Sequence, residues 1–121
     1  MMSYDVFQLR ATPPCGATGE LVELKTTFLG KTRQVYRFHD YVPTPPKLRR
    51  SYIYVPALLE CAHCGQAHPA RVYIHRQRIA NIEWRKESFD QMLAKFLEEP
   101  FAEYLMHYFR FWYQPKKEVN A

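Results

Sequence analysis

Up to Trp84 the apolar positions recur in short runs at every second residue, and from Ser88 onward they recur at every third and fourth. The first spacing is that of half-buried strands and the second that of amphipathic helices. Tyr4–Arg10 reads as a short strand centred on Val6 and Phe7. Residues 11–19 are rich in Pro and Gly and form a turn region. In Leu21–Leu29, Val22, Leu24 and Phe28 share a face with Thr26 between them, while Glu23, Lys25 and Thr27 lie opposite. Gly30-Lys31-Thr32 predicts a hairpin connection into a strand over Arg33–His39. There Arg33 and Arg37, near Lys25 and Lys31, make a basic stripe or a merely solvated outer face.

Pro43, Pro45 and Pro46 then break the alternation, so Val42–Ser51 is expected as an extended loop. A further strand, Tyr52–Val55, is expected to stop at Pro56, with Ala57–Glu60 leading into Cys61. Arg71–Arg76 and Arg78–Trp84 predict another hairpin around Gln77. No Gly, Asn or Asp stands there to fix its register.

Ser88-Phe89-Asp90-Gln91 has the form of a capping box, and Phe89, Met92, Leu93, Phe96 and Leu97 make one apolar face of a helix over Phe89–Glu98. Pro100 stops that helix and can open the next, over Phe101–Tyr113. Its expected buried stripe is Phe101, Tyr104, Leu105, Tyr108, Phe109 and Trp112, with Met106, Phe111 and Tyr113 left off it. The fold class that follows is α+β: a small antiparallel sheet of five or six strands with two C-terminal helices. Residues 1–87 would form a β-rich region, residues 88–113 a helical hairpin and residues 114–121 a polar tail, all in one domain of 121 residues.

Composition refines this picture in two respects. The chain holds nine Tyr, eight Phe and two Trp, more rings than a core of this size needs, so some are expected at a binding surface. Its net charge of +5 favours an anionic partner, nucleic acid first. No run approaches a membrane-spanning length, and Met2-Ser3-Tyr4-Asp5 does not open a signal peptide. Three cysteines cannot close a disulfide framework, so reduced thiols and a cytoplasmic or nuclear location are expected.

The densest chemistry lies at Cys61-Ala62-His63-Cys64-Gly65. Two thiolates separated by two residues can face one ion, and the glycine accepts the positive φ with which such a turn ends. Thr12-Pro13-Pro14-Cys15-Gly16 has the same shape with threonine at the first position. Over these two stretches the chain resembles the zinc-ribbon family. That resemblance implies a structural Zn2+ joining the two knuckles, with Cys15 beside Cys61 and Cys64, and a scaffold that binds nucleic acid or nucleic-acid–protein complexes. Thr12 places four-cysteine coordination out of reach. His68, four residues after Cys64, is the favoured fourth ligand over His63 and His39.

For nucleic acid, Arg71, Arg76 and Arg78 interleave with Tyr73 and His75, and Lys47, Arg49 and Arg50 offer a basic loop for phosphates. The rival expectation is a protein interface: an inhibitory or accessory subunit, of the kind viral regulators represent. It would dock through Met106, Arg110, Phe111 and Tyr113 of the aromatic helix. No Ser-His-Asp set, carboxylate pair or glycine-rich phosphate loop stands out by spacing, so a non-enzymatic binding protein is expected.

Overall fold

A computed structural model describes residues 4–16, 21–29 and 33–109. Six strands, β1 (Asp5–Arg10), β2 (Leu21–Thr26), β3 (Val35–Tyr36), β4 (Tyr52–Glu60), β5 (Ala67–His75) and β6 (Arg78–Trp84), form one sheet in the order β3-β1-β2-β4-β5-β6. Two helices follow, α1 (Phe89–Leu97) and α2 (Pro100–Tyr108). The fold is thus α+β with a small sheet and two helices at its C-terminal side. The sheet is mixed, because β3 runs parallel to β1 while every other pairing is antiparallel.

The expected hairpin into Arg33–His39 does not form. The Thr26 hydroxyl accepts the Phe28 N–H at 3.2 Å, and the chain leaves the ladder there to bury Phe28 and Leu29. It returns on the far side of β1, where the buried Asp5 carboxylate accepts the Gln34 N–H at 2.9 Å and the Val6 N–H donates to the Gln34 carbonyl. A buried carboxylate must find donors, and backbone N–H groups of an arriving segment supply one.

Pro56, the expected end of a strand, does not stop one. β4 passes through Pro56 and β5 through Pro69. A proline removes one ladder donor, which matters only where a neighbour needs it. β2 pairs with β4 only at Leu58 and Leu59, so Pro56 falls where that side of β4 is unpaired, and Pro69 stands just before the β6 ladder begins at Ala70, its carbonyl accepting the Arg85 N–H at 2.9 Å. The β5–β6 turn is Arg76-Gln77, with φ of 52° and 67°. Both residues take the left-handed conformation that two-residue hairpins favour, without the glycine or asparagine that usually supplies it.

β4 is the central strand and is buried on both faces from Ile53 to Ala57. The registers align Phe7 with Leu24, Leu24 with Leu59, Val55 with Val72 and Ile53 with Ile74 on one face of the sheet. On the other, the Tyr54 ring meets Phe96 of α1 at 5.8 Å and Phe101 of α2 at 5.3 Å. Phe28 packs edge-on to Phe96 at 4.8 Å. Ser88 caps α1 as its sequence predicts, its hydroxyl accepting the Gln91 N–H. In α2 the expected stripe is only half realised. Ala102 and Leu105 are buried, but Tyr104 and Tyr108 are 41% and 47% exposed, because the helix docks along a single narrow side. Trp112 lies outside the described residues.

Two features constrain where a site can form. The first is a seam: β2 meets β4 at only two residue pairs, whereas β1–β2 and β4–β5 are paired along their whole lengths. The Lys25 ammonium crosses the seam to Glu60 at 2.6 Å. The second is a polar network that ties the β6–α1 connection. Arg85 forks onto both oxygens of Glu87 at 3.0 and 3.1 Å and reaches Glu83 at 3.0 Å, and Lys95 of α1 lies 3.5 Å from Glu87. The Arg85 hydrogen bonds hold the Glu87 carboxyl down at about 2, from an ordinary 4.5.

Two predictions follow from these elements. Gln77→Gly relieves one left-handed side-chain residue and should raise stability by about 0.5–1 kcal/mol, read as a higher melting temperature. Glu87 titrates lower in the folded chain than in the unfolded one, so its contribution is full above about pH 4.5 and is lost as pH falls towards 2. Glu87→Gln should therefore cost stability at pH 7 and approach wild type at pH 2–3 (about the same pH window), measured as the difference between paired urea melts. A difference independent of pH would refute the assignment.

Candidate metal centre

At one end of the sheet the β1–β2 connection and the β4–β5 hairpin come together. The β4–β5 loop, Cys61 to Gln66, closes on itself: the Cys61 N–H donates to the Gln66 carbonyl at 3.0 Å and the Gly65 N–H to the Cys61 carbonyl at 2.8 Å. In the other turn the Gly16 N–H donates to the Pro13 carbonyl at 2.9 Å. Gly65 and Gly16 carry φ of 74° and 86°, the left-handed values that each exit requires. A Cβ at either would meet no atom within 4 Å, so the demand there is conformational and not steric.

These turns bring Cys15, Cys61, Cys64 and His68 together, with their ligand atoms all within 4.8 Å of one another. The Cys15 and Cys61 sulfurs are 3.7 Å apart, and the Cys64 sulfur is 3.2 Å from Nε2 of His68. Two thiolates on a tetrahedral ion with bonds of about 2.3 Å stand about 3.8 Å apart, so the sulfur spacing already matches a coordination edge. His68 is placed by the ladder, since it pairs with Leu59 at the start of β5, and its ring lies edge-on to Trp84 at 6.3 Å. His63, Thr12 and His39 do not belong to the group, and His39 stands in the loop after β3. The four residues can hold a metal ion.

The electrostatics of the thiols are uneven. Cys61, the buried member, is held below its ordinary value, foremost by the Cys64 backbone N–H aimed at its sulfur and then by Cys15. For Cys64 the Gln66 N–H also favours the thiolate, but partial desolvation and the neighbouring Cys15 and Cys61 sulfurs outweigh it and push the thiol up. Crowded thiols resist joint ionisation until a cation enters among them.

The sequence-predicted nucleic-acid residues divide into two groups. The Arg71 guanidinium lies on the Tyr54 ring at 4.3 Å, and its Nη1 is 3.5 Å from the Tyr73 hydroxyl and 3.8 Å from Glu83. It is spent inside the fold and is not presented to a phosphate. Lys47, Arg49, Arg50, Arg76 and Arg78 are exposed, near the start of β4 and the β5–β6 turn. That end of the sheet is the one opposite the cysteines. Sequence reasoning missed Tyr41 and Tyr52 there, which are 65% and 55% exposed. The alternation of Tyr52 and Tyr54 with Ile53 and Val55 was the available signal, since it makes both faces of β4 apolar. Of the expected protein-interface residues, Met106 is half-buried, and Arg110, Phe111 and Tyr113 lie outside the described residues.

No protein-family model, curated protein or solved structure matches the chain. Among the described residues no helix is long and apolar enough to cross a membrane.

Purified without added metal, the chain should carry about one divalent ion per molecule, and Cys61→Ser or His68→Ala should lose it, measured by elemental analysis. The core extends well beyond the centre, so chelation should lower the melting temperature while far-UV circular dichroism keeps most of its strand signal. Metal-free wild-type protein whose melting is indifferent to chelator would remove the centre.

Proposed function

We propose that this chain is a non-enzymatic binding protein, stapled by a structural zinc ion, that contacts nucleic acid. The ligand set supports zinc: three thiolates and one imidazole suit a borderline-soft ion in a tetrahedron. Four protein donors fill that tetrahedron and leave no position for a water or substrate, which favours a structural role over a catalytic one. The placement agrees with the zinc-ribbon resemblance, in which an ion joins two turns at the base of hairpins.

The observation that carries the partner is the opposite end of the sheet. Arg49, Arg50, Arg76 and Arg78, with Lys47 beside them, are exposed there, and none has an acidic partner among the described residues. Several cations elsewhere are neutralised within the fold: Lys25 by Glu60, Arg71 by Glu83, Arg85 by Glu83 and Glu87, and Lys95 by Glu87. A cluster of cations without acidic partners thus stands where a polyanion can reach it. A protein interface on α2 is the second reading, favoured by the outward-facing rings of Tyr104 and Tyr108.

The test is anisotropy of labelled mixed-sequence oligonucleotides across a salt series. Changing Arg49, Arg50, Arg76 and Arg78 together to Ala should weaken binding and lower the slope of log K against log salt by about 3. Unchanged affinity and slope in a variant that melts like wild type would exclude a nucleic-acid partner at this surface.

A further inference from the structure

Resting on the nucleic-acid reading, we infer that Tyr52 and Tyr41 form a stacking platform for unpaired bases, so that the ligand is a single-stranded nucleic acid. Both rings are outward-facing and both are held from behind. The Tyr52 ring stacks on Tyr73 at 5.3 Å with an interplanar angle of 29°, and lies 5.5 Å from the ring of His75. Tyr73 is fixed in turn by its hydroxyl, which donates to Glu83 at 2.9 Å, and by the Tyr54 ring at 5.6 Å. Tyr41 is backed by the Arg78 guanidinium at 4.3 Å, which is itself anchored on the His39 carbonyl at 2.6 Å. The loop that carries Tyr41 is pinned to the β5–β6 turn, because the Val42 N–H donates to the Gln77 carbonyl at 2.8 Å.

A ring braced on one face and open on the other loses little freedom when a base stacks on it. The surroundings say which occupant fits. Arg49 and Arg50 stand just before Tyr52 in the chain, Arg76 sits in the turn, and His75 pairs with Arg78 across the ladder. Exposed rings interleaved with cations suit a strand that offers π-faces and phosphates together. A duplex hides its base faces in its own stack and offers the rings nothing. A protein partner would want an apolar centre, and the exposed neighbours here include Arg49, Arg50, Arg76 and Arg78.

The experiment compares a fluorescein-labelled RNA of about 15 nucleotides, the DNA of the same sequence and the DNA duplex, by anisotropy at matched salt. Both single strands should bind about 10-fold more tightly than the duplex, and an RNA preference or its absence assigns the role of the sugar. Tyr52→Ala should weaken single-strand binding about 10-fold with the salt slope unchanged, and Tyr52→Phe should restore it. Tyr41→Ala, in a loop, gives the same reading should Tyr52→Ala melt early. Equal binding of duplex and single strand overturns the platform, as does indifference to both alanine changes while the arginine changes still weaken binding. In either case the nucleic-acid reading survives. No binding to any of the three oligonucleotides overturns both and leaves the surface to a protein.

Discussion

Most of this structure depends on how its sheet is held together across one weak line. β1 and β2 form a six-residue ladder and β4 and β5 a nine-residue one, but the two ladders touch through only two residue pairs between β2 and β4. Backbone pairing of that extent does not hold two hairpins in fixed relation. Other contacts bridge the line. Leu24 and Leu59 face each other across it, and Phe28, just past β2, reaches Phe96 of α1, which also packs on Tyr54 of β4. The half-exposed pair of Lys25 and Glu60 adds little, as surface ion pairs generally do. The cysteine–histidine group spans the same line, since Cys15 comes from one hairpin and the other three residues from its neighbour. A metal bound there would act where the protein's own pairing is thinnest.

The two ends of the sheet therefore have different characters. One gathers thiols, turns and an imidazole. The other gathers exposed tyrosines and arginines. Between them the face of β4–β5–β6 carries the layer of Tyr54, Arg71, Tyr73 and Glu83. Its guanidinium is sandwiched by hydrogen bonds and a ring, although the Nε of Arg71 is buried without a partner among the described residues. Burial and the Glu99 carboxylate, which accepts its proton at 3.0 Å, push the Tyr54 hydroxyl upward, so this layer stays fixed and uncharged at its tyrosine through the neutral range. Structural work is done by Arg71, whereas Arg49, Arg50, Arg76 and Arg78 are exposed to solvent.

What the sequence disclosed was mostly local. The Ser88 cap, the Cys61–Cys64 turn and its neighbour His68, and the strand alternation of β1, β2 and β6 depend on residues within a few positions of one another. What it withheld depends on partners far along the chain. The placement of β3 hinges on Asp5 reaching Gln34, a contact that no periodicity encodes. Strand continuity through Pro56 hinges on where the neighbouring strand happens to stop pairing. A turn made of Arg76 and Gln77 carries none of the residue types that mark such turns. Tyr104 and Tyr108 follow helical spacing faithfully and yet face outward, because spacing says which residues share a side and not whether the sheet is wide enough to cover them.

The order in which the ligands occur along the chain has a consequence for how the protein is built. Cys61, Cys64 and His68 lie within eight residues, on a hairpin whose turn hydrogen bonds are internal to it. Cys15 stands 46 residues earlier than Cys61. As the chain emerges during synthesis, Cys15 must wait until the whole segment through β4 and the start of β5 has been made. A short chelate on the late hairpin would meet an ion first, and closure onto the early cysteine would be the long-range step. Closing a loop of that length costs chain entropy that a local turn does not. An ion held at this end would thus meet three of its ligands on one late hairpin and only the fourth across the sheet.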